Sequence, residues 1–207
     1  MDEERFASLK ELETRLGHQF SHLEWLDQAL THKSYIHQTN VTNKESNEVL
    51  EFLGDAVLNL VVSDLLYQTF PQAHEGILSV RRAHLVKQSS LAHLSKEIRL
   101  EEYLLLGKSE LIDGGRKKAS ILANAYEALI GAIYMDSGFD QTLKVIRHHL
   151  EPIFRLKSRP FFLMITKASF KKRLNERMDH LPNIKYYRNL VPSTINDFRP
   201  PFALEGR

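Results

Sequence analysis

The chain has 207 residues, enough for one ordinary domain and a shorter second segment. Its composition is 43% hydrophobic and 26% charged, which excludes a disordered or low-complexity protein. It contains no cysteine, so disulfides, thiolate metal sites and a cysteine nucleophile are excluded. No segment reaches the roughly 18 uncharged apolar residues of a membrane span, so a cytoplasmic protein without a membrane partner is expected.

The net charge of +2 conceals two oppositely charged parts. Residues 1–154 carry 16 Lys and Arg against 22 Asp and Glu, whereas residues 155–207 carry 12 against 4. A basic tail on an acidic body indicates a polyanionic partner that both parts of the chain engage.

Residues 1–154 predict an all-α domain, because apolar residues recur at steps of three and four and rarely at steps of two. The predicted helices span residues 9–16, 23–32, 47–70, 78–85, 89–98, 120–136 and 140–154. Residues 155–164 predict a basic linker, and residues 165–207 predict a short helix followed by two strands. Without disulfides or a metal, a segment of about 45 residues is marginal as an independent fold.

The helix predicted over residues 47–70 is apolar on nearly every side, which predicts burial, yet it carries acids. Glu48, Glu51 and Asp55 are spaced at i, i+3 and i+7, so they share one narrow face. Clustered carboxylates repel one another and lose hydration on burial, and a bound divalent cation would compensate both costs. The alternative is a solvated acidic stripe that the helix dipole favours.

The helix predicted over residues 120–136 repeats this feature, because Asn124 and Glu127 share a face of an otherwise apolar sequence. If the two helices meet, they assemble oxygen donors without His or Cys, which favours Mg²⁺ or Mn²⁺. Gly54 and Gly131 each cost about 1 kcal/mol in a helix interior, and a close helix approach would explain them. Two unrelated helices with isolated polar residues are the alternative.

A loop before the second of these helices combines glycines with basic residues. Gly114 and Gly115 permit outward-facing amides, and Arg116, Lys117 and Lys118 follow directly before the helix start. Such a loop is typical of a phosphate contact. A solvated surface run is the alternative.

Five motifs resemble, in order, those of the ribonuclease III endonucleases. They are LTHKSY (30–35), EVLEFLGDAVL (48–58), EGILSVRRAHLV (75–86), LLLGKSE (104–110) and GGRKKASILANAYEALIGAIYMDSG (114–138). The resemblance covers residues 5–155. It implies an all-α endonuclease domain over residues 1–154 that forms a homodimer and cuts double-stranded RNA.

The resemblance also implies the roles of individual residues. The family's metal ligands match four residues, here called the ligand set: Glu51, Asp55, Asn124 and Glu127. They would hold Mg²⁺, which Mn²⁺ could replace, with Asp55 and Glu127 catalytic and Glu48 supporting them without coordinating the ion. Water would then hydrolyse the RNA to 5′-phosphate and 3′-hydroxyl ends, in RNA processing such as ribosomal RNA maturation.

Further residues take expected roles in partner binding. Phe52 stands at the position of the family's dimer contact and would insert into the second subunit; ordinary core packing is the alternative. Arg116, Lys117 and Lys118 are expected to bind RNA.

The chain departs from the family in two places. Asn124 stands where the family has Asp, and its amide oxygen can ligate but carries no charge, so weaker metal binding and reduced activity are expected. The alternative is an inactive RNA-binding scaffold of the same fold. Residues 165–207 resemble only the first part of an α/β double-stranded RNA-binding domain, without its third strand and last helix, so weak duplex recognition by this segment is expected.

Overall fold

The computed structural model describes residues 1–39 and 45–155. Their regular structure is helical, which confirms the predicted all-α class, and one isolated parallel bridge joins Thr31 to Leu105. The helices are α1 (Glu3–Leu16), α2 (Leu23–Ala29), α3 (Lys33–Thr39), α4 (Glu48–Thr69), α5 (Glu75–Leu85), α6 (Gln88–Glu97), α7 (Lys108–Ile112) and α8 (Ala119–Arg155), with 3₁₀ turns at Leu100–Glu102 and Gly115–Lys117. None of these helices is long and apolar enough to cross a membrane. Apart from Arg155, which ends α8, the predicted linker and the segment 165–207 lie outside the described residues.

The core forms around α4 and α8, which pack most extensively against each other. Helices α2 and α6 cover α8, and α5 packs on α4. Leu58 and Val61 of α4 and Leu122, Tyr126 and Leu129 of α8 are buried in the resulting core. Burial of these side chains, rather than helix propensity, stabilises the arrangement.

Helix α8 is broken at Gly138, whose φ of 73° lies in the left-handed region that glycine tolerates. The two arms correspond to the helices predicted over residues 120–136 and 140–154. Just before the break, the Asp136 carboxylate accepts hydrogen bonds from the backbone N–H groups of Ser21 (3.1 Å) and His22 (2.9 Å). This contact ties the first arm to the loop between α1 and α2.

Several helix boundaries differ from the sequence prediction for local reasons. Helix α1 begins at Glu3 rather than at residue 9, because the Asp2 side chain caps it by accepting from the Arg5 N–H at 2.8 Å. Helix α2 ends at Ala29, since Leu30 and the next residues turn away to bond with Leu105. The short helices α3 and α7 were not predicted.

One face of α4 is exposed and apolar, so the prediction that this helix is buried on nearly every side is wrong. Val49, Phe52, Ala56, Leu60 and Tyr67 form this face, which we call the α4 stripe. The side chain of Phe52 is 81% exposed, which excludes core packing within one chain. A stripe of this kind marks a surface that another molecule covers.

Candidate active site

Two glycines bring the backbones of α4 and α8 into direct contact. A Cβ atom on Gly54 would lie 1.7 Å from the backbone oxygen of Glu127, and one on Gly131 would lie 2.2 Å from the backbone oxygen of Leu50. Any side chain at either position would therefore force the helices apart. The close approach that these glycines predicted is confirmed, and we call this contact the α4–α8 crossing.

The crossing brings the ligand set together. Glu51 and Asp55 lie on α4 on either side of Gly54, and the backbone of Glu127 lies against Gly54 itself. The Asn124 side chain donates a hydrogen bond to the Glu51 carboxylate. The charges of Asp55 and Glu51 both act on Glu127. The reading in which the two helices are unrelated is therefore excluded.

The carboxyl groups at the crossing bring more negative charge than the neighbouring groups neutralise. Burial, together with the nearby charges of Asp55 and Glu51, raises the pKa of Glu127 to about 7. Burial also raises the pKa of Glu51, although the hydrogen bond from Asn124 opposes this effect. Such a group of carboxyls binds either a proton or a cation near neutral pH.

The other two acids of the face predicted on α4, Glu48 and Asp55, are open to solvent. Asp55 is exposed and accepts a hydrogen bond from the Asn59 side chain at 2.8 Å. Glu48 is exposed as well, and it pairs with Lys33. The sequence led us to expect that the carboxyl groups of α4 lose hydration by burial. Among Glu48, Glu51, Asp55 and Glu127, only Glu51 on α4 and Glu127 on α8 are partly buried.

The donors of the ligand set suit a hard divalent cation. Three carboxylates and one amide oxygen match the preference of Mg²⁺ for oxygen ligands. The pKa of Glu127 is raised mainly by burial and also by the charges of Asp55 and Glu51, which a cation would neutralise. In residues 1–39 and 45–155, no three His, Cys, Asp or Glu side chains are already arranged to hold a metal. The fit to a divalent ion therefore rests on the chemical type of the donor atoms and not on a preformed coordination geometry.

The backbone of the basic loop does not form the outward-facing nest that the sequence predicted. Gly114 adopts a left-handed conformation with φ of 72° and starts a 3₁₀ turn. Within this turn the Lys117 N–H donates to the Gly114 carbonyl at 2.8 Å, and the Lys118 N–H donates to the Gly115 carbonyl at 3.1 Å. These two amides are used internally, so the expectation was wrong for them.

The basic side chains of the loop differ in what they contact. Arg116 donates to the backbone carbonyl of Glu101, and Lys118 forms an ion pair with Glu110. Lys117 is exposed. Of the three residues predicted to bind RNA, Lys117 and Lys118 are both exposed, although the charge of Lys118 is paired with Glu110. Arg116 is partly buried and stabilises the loop.

The segment LTHKSY has a role that the hydrophobic pattern did not reveal. His32 Nδ1 lies 2.8 Å from Ser34 Oγ, which accepts a hydrogen bond from the Gly107 N–H at 2.9 Å. Lys33, between them, pairs with Glu48 at the start of α4. Only the motif could have indicated these contacts from the sequence, because its residues follow no helical period.

Comparison with known proteins first gives the class, an all-α nuclease domain. The nuclease domain of ribonuclease III from Campylobacter jejuni, whose description names a region involved in dimer formation, has a TM-score of 0.65 and 39% identity. The match covers 70% of this chain and 96% of that domain.

Sequence comparison then identifies the family. A family model described as "Ribonuclease-III-like" matches residues 23–153. Ribonuclease 3 of Syntrophobacter fumaroxidans is 42% identical over 203 residues, or 96% of this chain and 84% of that protein. Ribonuclease 3 of Bordetella petrii is 49% identical over 146 residues, or 70% of this chain and 55% of that protein, so this match spans little more than half of its length. The chain belongs to the ribonuclease III family.

Proposed function

We propose that the chain hydrolyses double-stranded RNA with the aid of Mg²⁺, or of Mn²⁺ in its place, and leaves 5′-phosphate and 3′-hydroxyl ends. Membership of the ribonuclease III family supports the endoribonuclease activity. The observation that carries the finer proposal is the α4–α8 crossing, which brings together Glu51, Asp55, Asn124 and Glu127. Maturation of ribosomal RNA in the cytoplasm is the proposed setting.

The ligand set would hold the ion, and each helix contributes two of its members. When bound, Mg²⁺ supplies positive charge that neutralises the scissile phosphate and makes water a better nucleophile. With a pKa of about 7, Glu127 is partly protonated near neutral pH, so binding of a cation would favour its charged form. Asp55 is exposed and so faces the side from which RNA can approach.

We propose that two chains form a homodimer through the α4 stripe. Phe52 is 81% exposed and Tyr67 is 70% exposed, and covering such apolar surface stabilises a complex by about 25 cal/mol per Å². The description of the related Campylobacter nuclease domain names dimer formation. A dimer would carry two sites and make one cut in each RNA strand.

Binding of the duplex would use Arg116, Lys117 and Lys118 together with the basic residues 155–207. Lys117 is exposed and can reach a phosphate directly, whereas Arg116 and Lys118 would have to share their charge with their protein partners. Contacts of this kind are electrostatic, so affinity should fall steeply with salt.

The proposal is tested by titrating Mg²⁺ and Mn²⁺ against cleavage of a long RNA duplex. The wild type should cut only with either ion present, and Glu127→Gln should lower the rate by about a hundredfold or more. Asn124→Asp should raise the rate at low metal concentration, because it restores a charged ligand.

Two outcomes contradict the proposal. Cleavage that Glu127→Gln leaves unchanged would remove the ligand set from the reaction. Duplex binding without cleavage, in high Mn²⁺ and with Asp at position 124, would instead support an RNA-binding scaffold, the alternative that Asn124 favours.

A further inference from the structure

Lys33, the first residue of α3, forms an ion pair with Glu48, the first residue of α4. The Nζ atom of Lys33 lies 3.0 Å from Glu48 Oε1, and Ser46 Oγ lies 3.4 Å from the other carboxylate oxygen. The hydrogen bond between Lys33 and Glu48 lowers the pKa of Glu48 and raises the pKa of Lys33. In this state the charge of Glu48 is already compensated from within the protein.

Backbone hydrogen bonds fix the position of this ion pair. Thr31, two residues before Lys33, accepts a hydrogen bond from the N–H of Asn47 at 2.9 Å, and Asn47 directly precedes Glu48. Thr31 is also held by its bridge to Leu105. The starts of α3 and α4 are thus joined without the help of either charged side chain, so the pairing of Lys33 with Glu48 follows from the fold.

The ion pair lies at the edge of the ligand set. Glu48 precedes Glu51 by one turn on the same face of α4. Burial raises the pKa of Glu51, and the positive charge of Lys33 opposes that rise. Lys33 is therefore close enough for its charge to act where a divalent cation would bind.

We propose that Lys33 is a positioning residue that competes with the divalent cation, because it holds the Glu48 carboxylate in an ion pair and withholds its charge from the ligand set. This inference rests on the proposed function, which places the cation there. Lys33 and Glu48 are 53% and 54% exposed, and such exposed pairs are weak. A divalent ion at the ligand set can therefore draw Glu48 away from Lys33.

The test is the binding of Mn²⁺ alone to the metal-stripped, RNA-free chain, measured by calorimetry. Lys33→Gln should tighten Mn²⁺ binding by about three- to tenfold at low salt, because it removes a repelling charge and releases Glu48. The difference should shrink at about 0.5 M KCl, since exposed charges are screened. A purely structural role would change the affinity in the opposite direction, because a displaced α4 start would weaken binding.

Three further variants serve as controls. Lys33→Arg keeps the charge and should bind Mn²⁺ like the wild type. Lys10→Gln removes a lysine of similar exposure, 43%, that pairs with Glu13 on α1, and it should not change the affinity. In a Glu48→Gln background, Lys33→Gln should lose most of its effect, because the proposed action passes through Glu48.

The outcomes separate this inference from the proposed function. Unchanged or weaker Mn²⁺ binding by Lys33→Gln, with its circular dichroism intact, would overturn the inference and leave the proposed function standing. If Lys33→Gln tightened Mn²⁺ binding equally in the Glu48→Gln background, the inference would also be overturned. Lys33 would then act on the ion by its charge alone and not through Glu48. A wild-type chain that binds no Mn²⁺ would overturn the proposed metal site and this inference with it.

Discussion

Asn124 adds a hydrogen bond, but no negative charge, to the group of acids at the α4–α8 crossing. Its side chain donates a hydrogen bond to Glu51, whose carboxyl is half-buried and close to Glu127. An aspartate in the same place would accept rather than donate, and it would add a further negative charge. The residue that departs from the family is thus one that relieves repulsion.

Asn124→Asp is therefore expected to lower the stability of the metal-free chain by about 1–2 kcal/mol. Mg²⁺ should restore more stability to this variant than to the wild type, because the ion binds the folded state. Urea denaturation with chelator and with Mg²⁺ measures both effects. Equal stability of the two proteins in chelator would show that the hydrogen bond to Glu51 contributes nothing.

His149 makes the stability of the folded chain sensitive to pH. Its Nδ1 lies 2.8 Å from the hydroxyl oxygen of the buried Tyr126, and burial lowers the pKa of His149 to about 4. The folded chain therefore binds fewer protons than the unfolded chain between the ordinary pKa of 6.5 and about 4. The stability from a neutral His149 is present above pH 6.5 and is lost as the pH falls towards 4.

Between pH 7 and 4, we expect the unfolding free energy of the wild type to fall by about 2–3 kcal/mol more than that of His149→Gln, because glutamine does not titrate. Chemical denaturation across this range gives the difference. His37→Gln, at an exposed position of α3, should follow the wild-type profile. A His149→Gln profile parallel to that of the wild type would contradict this source of acid sensitivity.

Among the elements, α4 and α8 tolerate no side chain where they cross. Gly54→Ala would place a methyl group within bonding distance of the Glu127 carbonyl, so the helices would have to separate. We expect a loss of at least about 3 kcal/mol in unfolding free energy. Thermal denaturation would measure it, and Asn124 and Glu127 would move away from Glu51 as well.

Gly76→Ala is the matched control, because it lies in the first turn of α5 with no atom within 4 Å of an added Cβ. This change should be neutral or stabilise the chain by up to about 1 kcal/mol, since alanine favours a helix. Similar losses at Gly54 and Gly76 would show that helix propensity, and not the crossing, decides the effect.

Hydrophobic period predicted the long helices and the short helix α2, but not α3 and α7. Helices α3 and α7 have seven and five residues, and hydrogen bonds from distant loops, such as that of the Gly107 N–H to Ser34, hold them in place. The period of α4 also could not distinguish the face that meets α8 from the face left exposed. Both faces are apolar, and only the packed structure assigns one to the core.

At the scale of the whole molecule, the α4 stripe leads us to expect a dimer that depends on Phe52. Phe52→Asp should give a monomer by light scattering, because it places a charge in the middle of the buried surface. Cleavage should fall by at least about tenfold, while the helical content stays the same. A dimer that survives this change would exclude the stripe as the interface.

Ile112→Asp provides the matched control for the dimer. Ile112 is 84% exposed, much like Phe52, but it belongs to α7 rather than to the stripe. This variant should remain dimeric and active. Dissociation by both changes would indicate a general loss of solubility rather than a specific interface.

The meeting of the polar faces of α4 and α8 could be predicted, because each helix places polar residues on one face and carries a glycine near them. The choice of the four residues of the ligand set came from the family resemblance. The exposure of Asp55 could not be predicted, because it depends on which parts of α4 remain uncovered. Nor could the pairing of Lys33 with Glu48, since it depends on the bond between Asn47 and Thr31. The hydrophobic period of a sequence identifies the faces of a helix, whereas contacts between loops can be seen only in the folded structure.

The α4–α8 crossing also predicts how much sequence variation this protein can accept. In a library of random substitutions selected for activity, Gly54 and Gly131 should admit almost no replacement, because a single methyl group at either one meets a carbonyl oxygen. The acids beside them should tolerate conservative exchanges at reduced rates. The least replaceable positions near the crossing would then be the two that have no side-chain functional group.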